Sequence, residues 1–96
     1  LIEYLGCYED KFTSTERDLV ESLFLEDLMT PQICQDKCGS IGMPYFGVQF
    51  GAECWCGKTY GKYRKLDDSE CNTKCTGDSS QFCGGQLRNG VFEVAK

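Results

Sequence analysis

Residues 30–57 read TPQICQDKCGSIGMPYFGVQFGAECWCG. Thr30-Pro31 is a helix start: a threonine side chain accepts from the free amides, and proline is pre-set for the first helical position. The helix predicted from Pro31 stops after Cys38, where Gly39 suits the left-handed cap. Tyr45–Phe50 then alternates, with Phe46, Val48 and Phe50 on one face and Tyr45, Gly47 and Gln49 on the other. Glu53–Gly57 reads as the partner strand of a hairpin turning at Gly51-Ala52. Cys34 and Cys38 stand at i and i+4, one face of a helix. Cys54 and Cys56 stand at i and i+2, one face of a strand. Two bridges should therefore bolt this helix to this strand, though spacing alone leaves open which cysteine takes which.

Working outward, the whole chain has 96 residues and 8 cysteines, about one residue in twelve. An even count at this density marks a small secreted domain held by disulfides. Zinc is the competing use for the thiols, but a C-x-C pair is wrong for a zinc knuckle, and Cys7 and Cys83 stand alone. Of the four cysteines outside the bolt, a Cys75–Cys83 bridge would close a short loop. Cys7–Cys71 would tie the N-terminal strand to a second helix.

That second short helix is predicted to open at Asp67, with Glu70 three residues on as in a capping box, and to carry Cys71 and Cys75 before Gly77. Residues 2–8 suggest a short edge strand, with Leu5 and Cys7 on one side and Tyr4, Gly6 and Tyr8 on the other, provided no bulge intervenes. Residues 9–29 are acidic and irregular: either a helix capped by Ser14 and running to Leu23-Phe24, or a strand over Arg17–Val20. Leu87–Phe92 carries Asn89-Gly90, a hairpin-turn signal. Phe46, Val48, Phe50, Phe92 and Val94 are the expected core, with Tyr4, Tyr8 and Tyr45 partly buried.

Several function classes fall away. With no histidine there is no Ser-His-Asp or Cys-His catalysis and no imidazole metal ligand. A net charge of −5 disfavours nucleic acid as a partner, and no apolar run approaches the ~20 residues of a membrane span. The chain is too small for a deep water-excluding cleft, so neither catalytic residues nor cofactors are expected. Asp67, Asp68 and Glu70 read as a helix start and Asp78 as a turn residue, not as metal ligands. Leu1–Tyr4 has no leader character, which suggests a mature secreted product or a module of something larger. Asn72 and Asn89 lie outside any glycosylation sequon.

Tyr4-Leu5-Gly6-Cys7-Tyr8, Met29–Cys34, Tyr45–Phe50, Glu53-Cys54-Trp55-Cys56-Gly57 and Cys75-Thr76-Gly77 followed by Cys83-Gly84-Gly85 together resemble the WSC domain, over about Tyr4 to Val94 with all eight cysteines in order. The resemblance implies an α+β fold of the PAN/apple type, a small antiparallel sheet with one main helix across it. It implies bridges Cys7–Cys71, Cys34–Cys54, Cys38–Cys56 and Cys75–Cys83 within a single domain, 1–96. Glu9–Leu28 falls in the family's variable region. The resemblance also implies recognition of polysaccharide such as β-glucan, at the cell surface or in the secreted space. A protein-recognition module of an ectodomain, with a glycoprotein partner, is the alternative.

If Cys54 and Cys56 face the helix, Trp55 faces the other way. Its neighbours on the paired strand are Tyr45, Gly47 and Gln49, with Gly47 leaving room beside the indole. The C–H face of a pyranose packs on an aromatic ring while its hydroxyls bond to fork-like polar groups. Lys58–Lys65 adds Lys58, Tyr60 and Tyr63 as a rim, and its cations suit sulfated or uronate sugars. The candidate sugar ligands are therefore Trp55, Gln49, Tyr45, Tyr60, Tyr63 and Lys58.

Overall fold

A computed structural model describes residues 2–13 and 15–95; the Ser14 helix cap lies outside them. Thr30 Oγ1 accepts from the Ile33 amide at 3.2 Å, and Pro31 opens helix α1, Pro31–Ser40. The helix outruns its expected end by two residues because Gly39 stays helical. Gly42, at φ 78°, supplies the left-handed residue instead, and the Met43 amide closes onto the Cys38 carbonyl.

Strands β1 (Glu3–Glu9), β2 (Ser22–Leu25), β3 (Tyr45–Gln49), β4 (Glu53–Gly57), β5 (Lys65–Leu66) and β8 (Arg88–Glu93) form one antiparallel sheet in the order β2-β4-β3-β8-β1-β5. A separate two-stranded ribbon joins β6 (Lys74–Cys75) to β7 (Asp78–Phe82). The helix crosses β3 and β4 and is bolted there by Cys34–Cys54 and Cys38–Cys56; Cys7–Cys71 and Cys75–Cys83 complete the set. In the main core, Met29, Phe46 and Val48 pack with six half-cystines, so the bridges are themselves much of the interior. This is the expected disulfide-rich domain, an antiparallel sheet with one helix against it.

Five local expectations are overturned. No second helix carries Cys71 and Cys75. Asp67 does cap, accepting from the Ser69 amide at 2.9 Å, but only one 3₁₀ turn, Asp68–Glu70, follows. Glu70 turns away to Arg88, and Cys75 lies in β6. Asn89-Gly90 is not a turn: both residues lie inside β8, and the chain reverses earlier, at Gly85–Arg88, with Leu87 at φ 56°. Phe50 is 59% exposed, because it leaves the strand in the left-handed region (φ 54°) and ends the alternation at Gln49.

The other two concern the N-terminal third. β1 is an edge only in part, since the two-residue β5 covers it at Cys7 and Tyr8, and a bulge between Tyr4 and Gly6 puts Tyr4 opposite Phe92 but Tyr8 opposite Asn89. The two tyrosines therefore lie on opposite faces of the sheet. Among the described residues of 10–29 the strand is Ser22–Leu25, paired to β4, and neither a helix nor a strand at Arg17–Val20 forms.

Candidate functional site

On the outer face of the sheet, away from the helix, β3 presents Tyr45, Gly47 and Gln49 and β4 presents Glu53, Trp55 and Gly57, with Trp55 opposite Gly47. The face is not bare. Residues 10–13 and 15–20 cross it, and Leu19, fully buried, sits where two glycines make room. A methyl group on Gly47 would lie 2.6 Å from Leu19 Cδ1, and one on Gly57 2.6 Å from Leu19 Cδ2. The space beside the indole is thus occupied by Leu19 and is not open to a ligand.

A buried polar cluster anchors the crossing segment. Asp10, 2% exposed, accepts through Oδ1 from the Lys11 and Asp18 amides, each at 2.8 Å. Its Oδ2 accepts from Arg17 Nη1 (3.1 Å), Gln49 Nε2 (3.0 Å) and Asn89 Nδ2 (3.3 Å). The Arg17 guanidinium lies 4.3 Å from the centre of the Trp55 ring, a cation–π stack. The indole N–H donates to Glu53 Oε1 at 3.0 Å. Arg17 is therefore locked from one side by a carboxylate and from the other by the only tryptophan.

Next to this stack lies a groove of about 380 Å³, lined by Phe12, Arg17, Gln49, Phe50, Glu53, Gln86 and Leu87. Phe12 and Phe50 stand 74% and 59% exposed on its rim. Exposed phenyl rings beside a guanidinium fork, a carboxylate and a primary amide provide apolar contact and hydrogen bonding in one small cleft.

The six residues singled out from sequence divide. Trp55 is half-buried under Arg17, and Gln49, 2% exposed, has its Nε2 committed to Asp10 and to Asn89 Oδ1 (3.1 Å) while its Oε1 accepts from Arg17 Nη1 at 3.4 Å, so it positions Arg17 from beneath. Tyr45 and Tyr60 touch, centroids 4.7 Å apart, with Tyr60 also edge-on to Tyr8. Tyr63 stands apart, donating to the Glu16 carbonyl at 2.6 Å under Lys11. Lys58 is exposed, its amide bonded to Glu21. Sequence reasoning missed Arg17, Asp10, Phe12 and Leu87, which carry no periodic signal; Glu53 was within reach, two residues from Trp55 on the same strand face.

The loop over residues 58–65 is tied to the crossing segment by Asp18, whose carboxylate accepts from the Gly61 and Lys62 amides at 2.9 and 3.0 Å. Burial outweighs those amides and raises the Asp18 carboxyl above its ordinary 3.8. A raised acid binds its proton more tightly in the folded state. Its stabilising contribution is complete below the unfolded value and is lost as pH rises through the folded one. Thermal melts of wild type and Asp18→Asn from pH 3 to 7 should show the wild type losing ground steadily above about pH 3.8; a constant gap would contradict this.

A family model for the WSC domain matches residues 4–85. The chain belongs to the WSC domain family. This WSC domain is 39% identical over 93 residues to xylosyltransferase oxt of Drosophila pseudoobscura pseudoobscura, covering 94% of the chain and 10% of that protein. It is 37% identical over 92 residues to a WSC domain-containing protein of Arthroderma benhamiae, covering 95% of the chain and 12% of that protein. It is also 34% identical over 92 residues to human Kremen protein 1, covering 94% of the chain and 19% of that protein. The chain thus spans between a tenth and a fifth of these relatives. WSC domains are extracellular modules of carbohydrate-binding or receptor type, non-catalytic by themselves.

Three cysteine sulfurs, of Cys34, Cys38 and Cys54, lie within 4.8 Å of one another, as metal ligands would. All are oxidised in the two neighbouring bridges, so none offers a thiolate. Among the described residues no helix is long and apolar enough to cross a membrane.

Proposed function

We propose that this WSC domain is a secreted or cell-surface glycan-binding module, without catalysis of its own, that takes a polysaccharide chain such as a β-glucan in the groove beside Trp55. The observation that carries the reading is the Arg17–Trp55 stack opening onto the exposed rings of Phe12 and Phe50. A pyranose would lay its C–H face on one phenyl ring and bond its hydroxyls to Arg17, Glu53 and Gln86. Trp55 acts here as the platform for Arg17, and Gln49 holds that guanidinium from below. Tyr45, Tyr60, Tyr63 and Lys58 extend the surface for a longer chain or a glycoprotein. Xylosyl transfer is named for a relative of which the domain matches a tenth. Presenting the glycan to such a partner enzyme fits a non-catalytic module.

A glycan array with wild type, Phe50→Ala and Trp55→Ala tests this. Phe50→Ala should weaken binding at least tenfold with an unchanged melting temperature, since the ring is on the surface. Trp55→Ala should abolish binding and lower the melting temperature, because it unseats Arg17. An array with no wild-type binding to any glycan would sink the proposal.

One observation favours protein recognition as a second reading. β2 is an edge strand that leaves Leu23 45% and Leu25 69% exposed. Such an edge accepts a strand from a partner. Capture of a cell-surface protein that survives Trp55→Ala and excess sugar would favour it.

A further inference from the structure

A second groove, of about 460 Å³, lies on the helix side of the sheet between the start of α1 and the end of β7. A bulge in one strand and a missing side chain in its neighbour make it. The β1 bulge turns Tyr4 to this side, its ring 5.1 Å from that of Phe92. Gly90 then sits mid-strand in β8, opposite Cys7 and Val48, where glycine weakens a sheet.

Nothing in the backbone demands that glycine. Its φ is not positive, and a methyl group there would meet Val48 Cγ2 at 3.4 Å and Gly84 N at 3.8 Å, ordinary contacts. Gly84, by contrast, is required, since a methyl group there would overlap the Val48 carbonyl. What the missing side chain of Gly90 leaves is the floor of the groove. The walls are Tyr4 and Phe82, 45% and 56% exposed. Asp68 Oδ1 accepts from the Tyr4 hydroxyl at 2.9 Å, while its Oδ2 has no partner among the described residues. Gln81 lies on the rim.

We infer that this groove is a second glycan site, selective for neutral pyranose rings. Tyr4 and Phe82 would hold a sugar by its C–H faces, and Asp68 Oδ2 and Gln81 would take its hydroxyls. Among the described residues the lining contains a carboxylate and no lysine or arginine. Sulfated and uronate sugars are therefore repelled here, whereas Arg17 gives the outer groove a cation. Sites on opposite faces let one domain bridge two polysaccharide strands, which raises avidity without a second copy. The inference stands on different residues from the outer-face reading, so either can fail alone.

The test is an amide NMR titration of the 96-residue chain with two probes, a β-1,3-linked glucose hexasaccharide and a β-1,4-linked N-acetylglucosamine hexasaccharide. With at least one, the Phe82, Gly84 and Gly90 amides should shift. Phe82→Ala and Gly90→Ala should each weaken that response at least tenfold. Gly90→Ala should melt no lower than wild type, which separates a filled floor from a damaged fold. Amides that stay still with both sugars, or an affinity unchanged in either variant, would overturn the inference. The Trp55 indole signal reports the outer groove separately in the same spectra.

Discussion

Asp10→Ala is expected to destabilise the domain by roughly 3–5 kcal/mol, the range for stripping one partner from a buried, hydrogen-bonded ion pair. Against a total of ~5–15 kcal/mol for a domain of this size, that approaches unfolding. The pair is buried on both sides, with 12% of the Arg17 and 1% of the Asp10 side chain exposed. Removing the carboxylate strands the Lys11 and Asp18 amides, the Arg17 guanidinium and the amide groups of Gln49 and Asn89 together. Asp10→Asn should rescue little. Whichever way the amide is turned, its NH₂ faces donors, either the two main-chain amides or the three side-chain donors. Denaturant unfolding at neutral pH reads both variants. An asparagine variant within 1 kcal/mol of wild type would mean that the cluster relaxes or takes in water.

The same cluster marks where the sequence stops being readable. The bolt of α1 to β4 was legible because cysteine spacing and strand alternation are local, and they settle both the inner face and the outward turn of Trp55. Asn89-Gly90 was misread because its local chemistry favours a turn, while the contacts that win lie far off in sequence. Asn89 is held by Asp10 and Gln49, 79 and 40 residues away. Leu19 was invisible for a similar reason. One leucine in an irregular acidic stretch has no period, and of the two strand glycines that seat it, Gly47 reads as room beside the indole without showing what fills it. The second short helix failed on energetics. Asp67 caps as expected, but the turn it starts has no buried residue to pay for a longer helix. Tyr4 and Tyr8 were put on one face by alternation, and a single bulge separated them.

Removing the Cys7–Cys71 bridge, as the double alanine variant, should lower stability by about 4 kcal/mol in the chain-entropy model, against about 2.5 kcal/mol for Cys75–Cys83. The difference follows from the loops closed, with separations of 64 and 8 residues. For a domain this small, 4 kcal/mol is a fall of roughly 15–30 °C in melting temperature. Packing points the same way: Cys7, Cys71 and Leu66 form a small cluster of their own, apart from the main core, and the bridge holds it together. The two bolts behave differently. Cys34–Cys54 and Cys38–Cys56 join the same helix to the same strand over separations of 20 and 18 residues. Deleting one leaves the other closing nearly the same loop, so each single deletion should cost less than the roughly 3 kcal/mol that the model assigns to such a loop in isolation. Deleting both should cost more than the sum of the single deletions. Thermal melts of the four single-bridge variants and this double-bridge variant read the whole pattern. A Cys75–Cys83 deletion that proved the most damaging would show that native packing around the β6–β7 ribbon outweighs chain entropy in this fold.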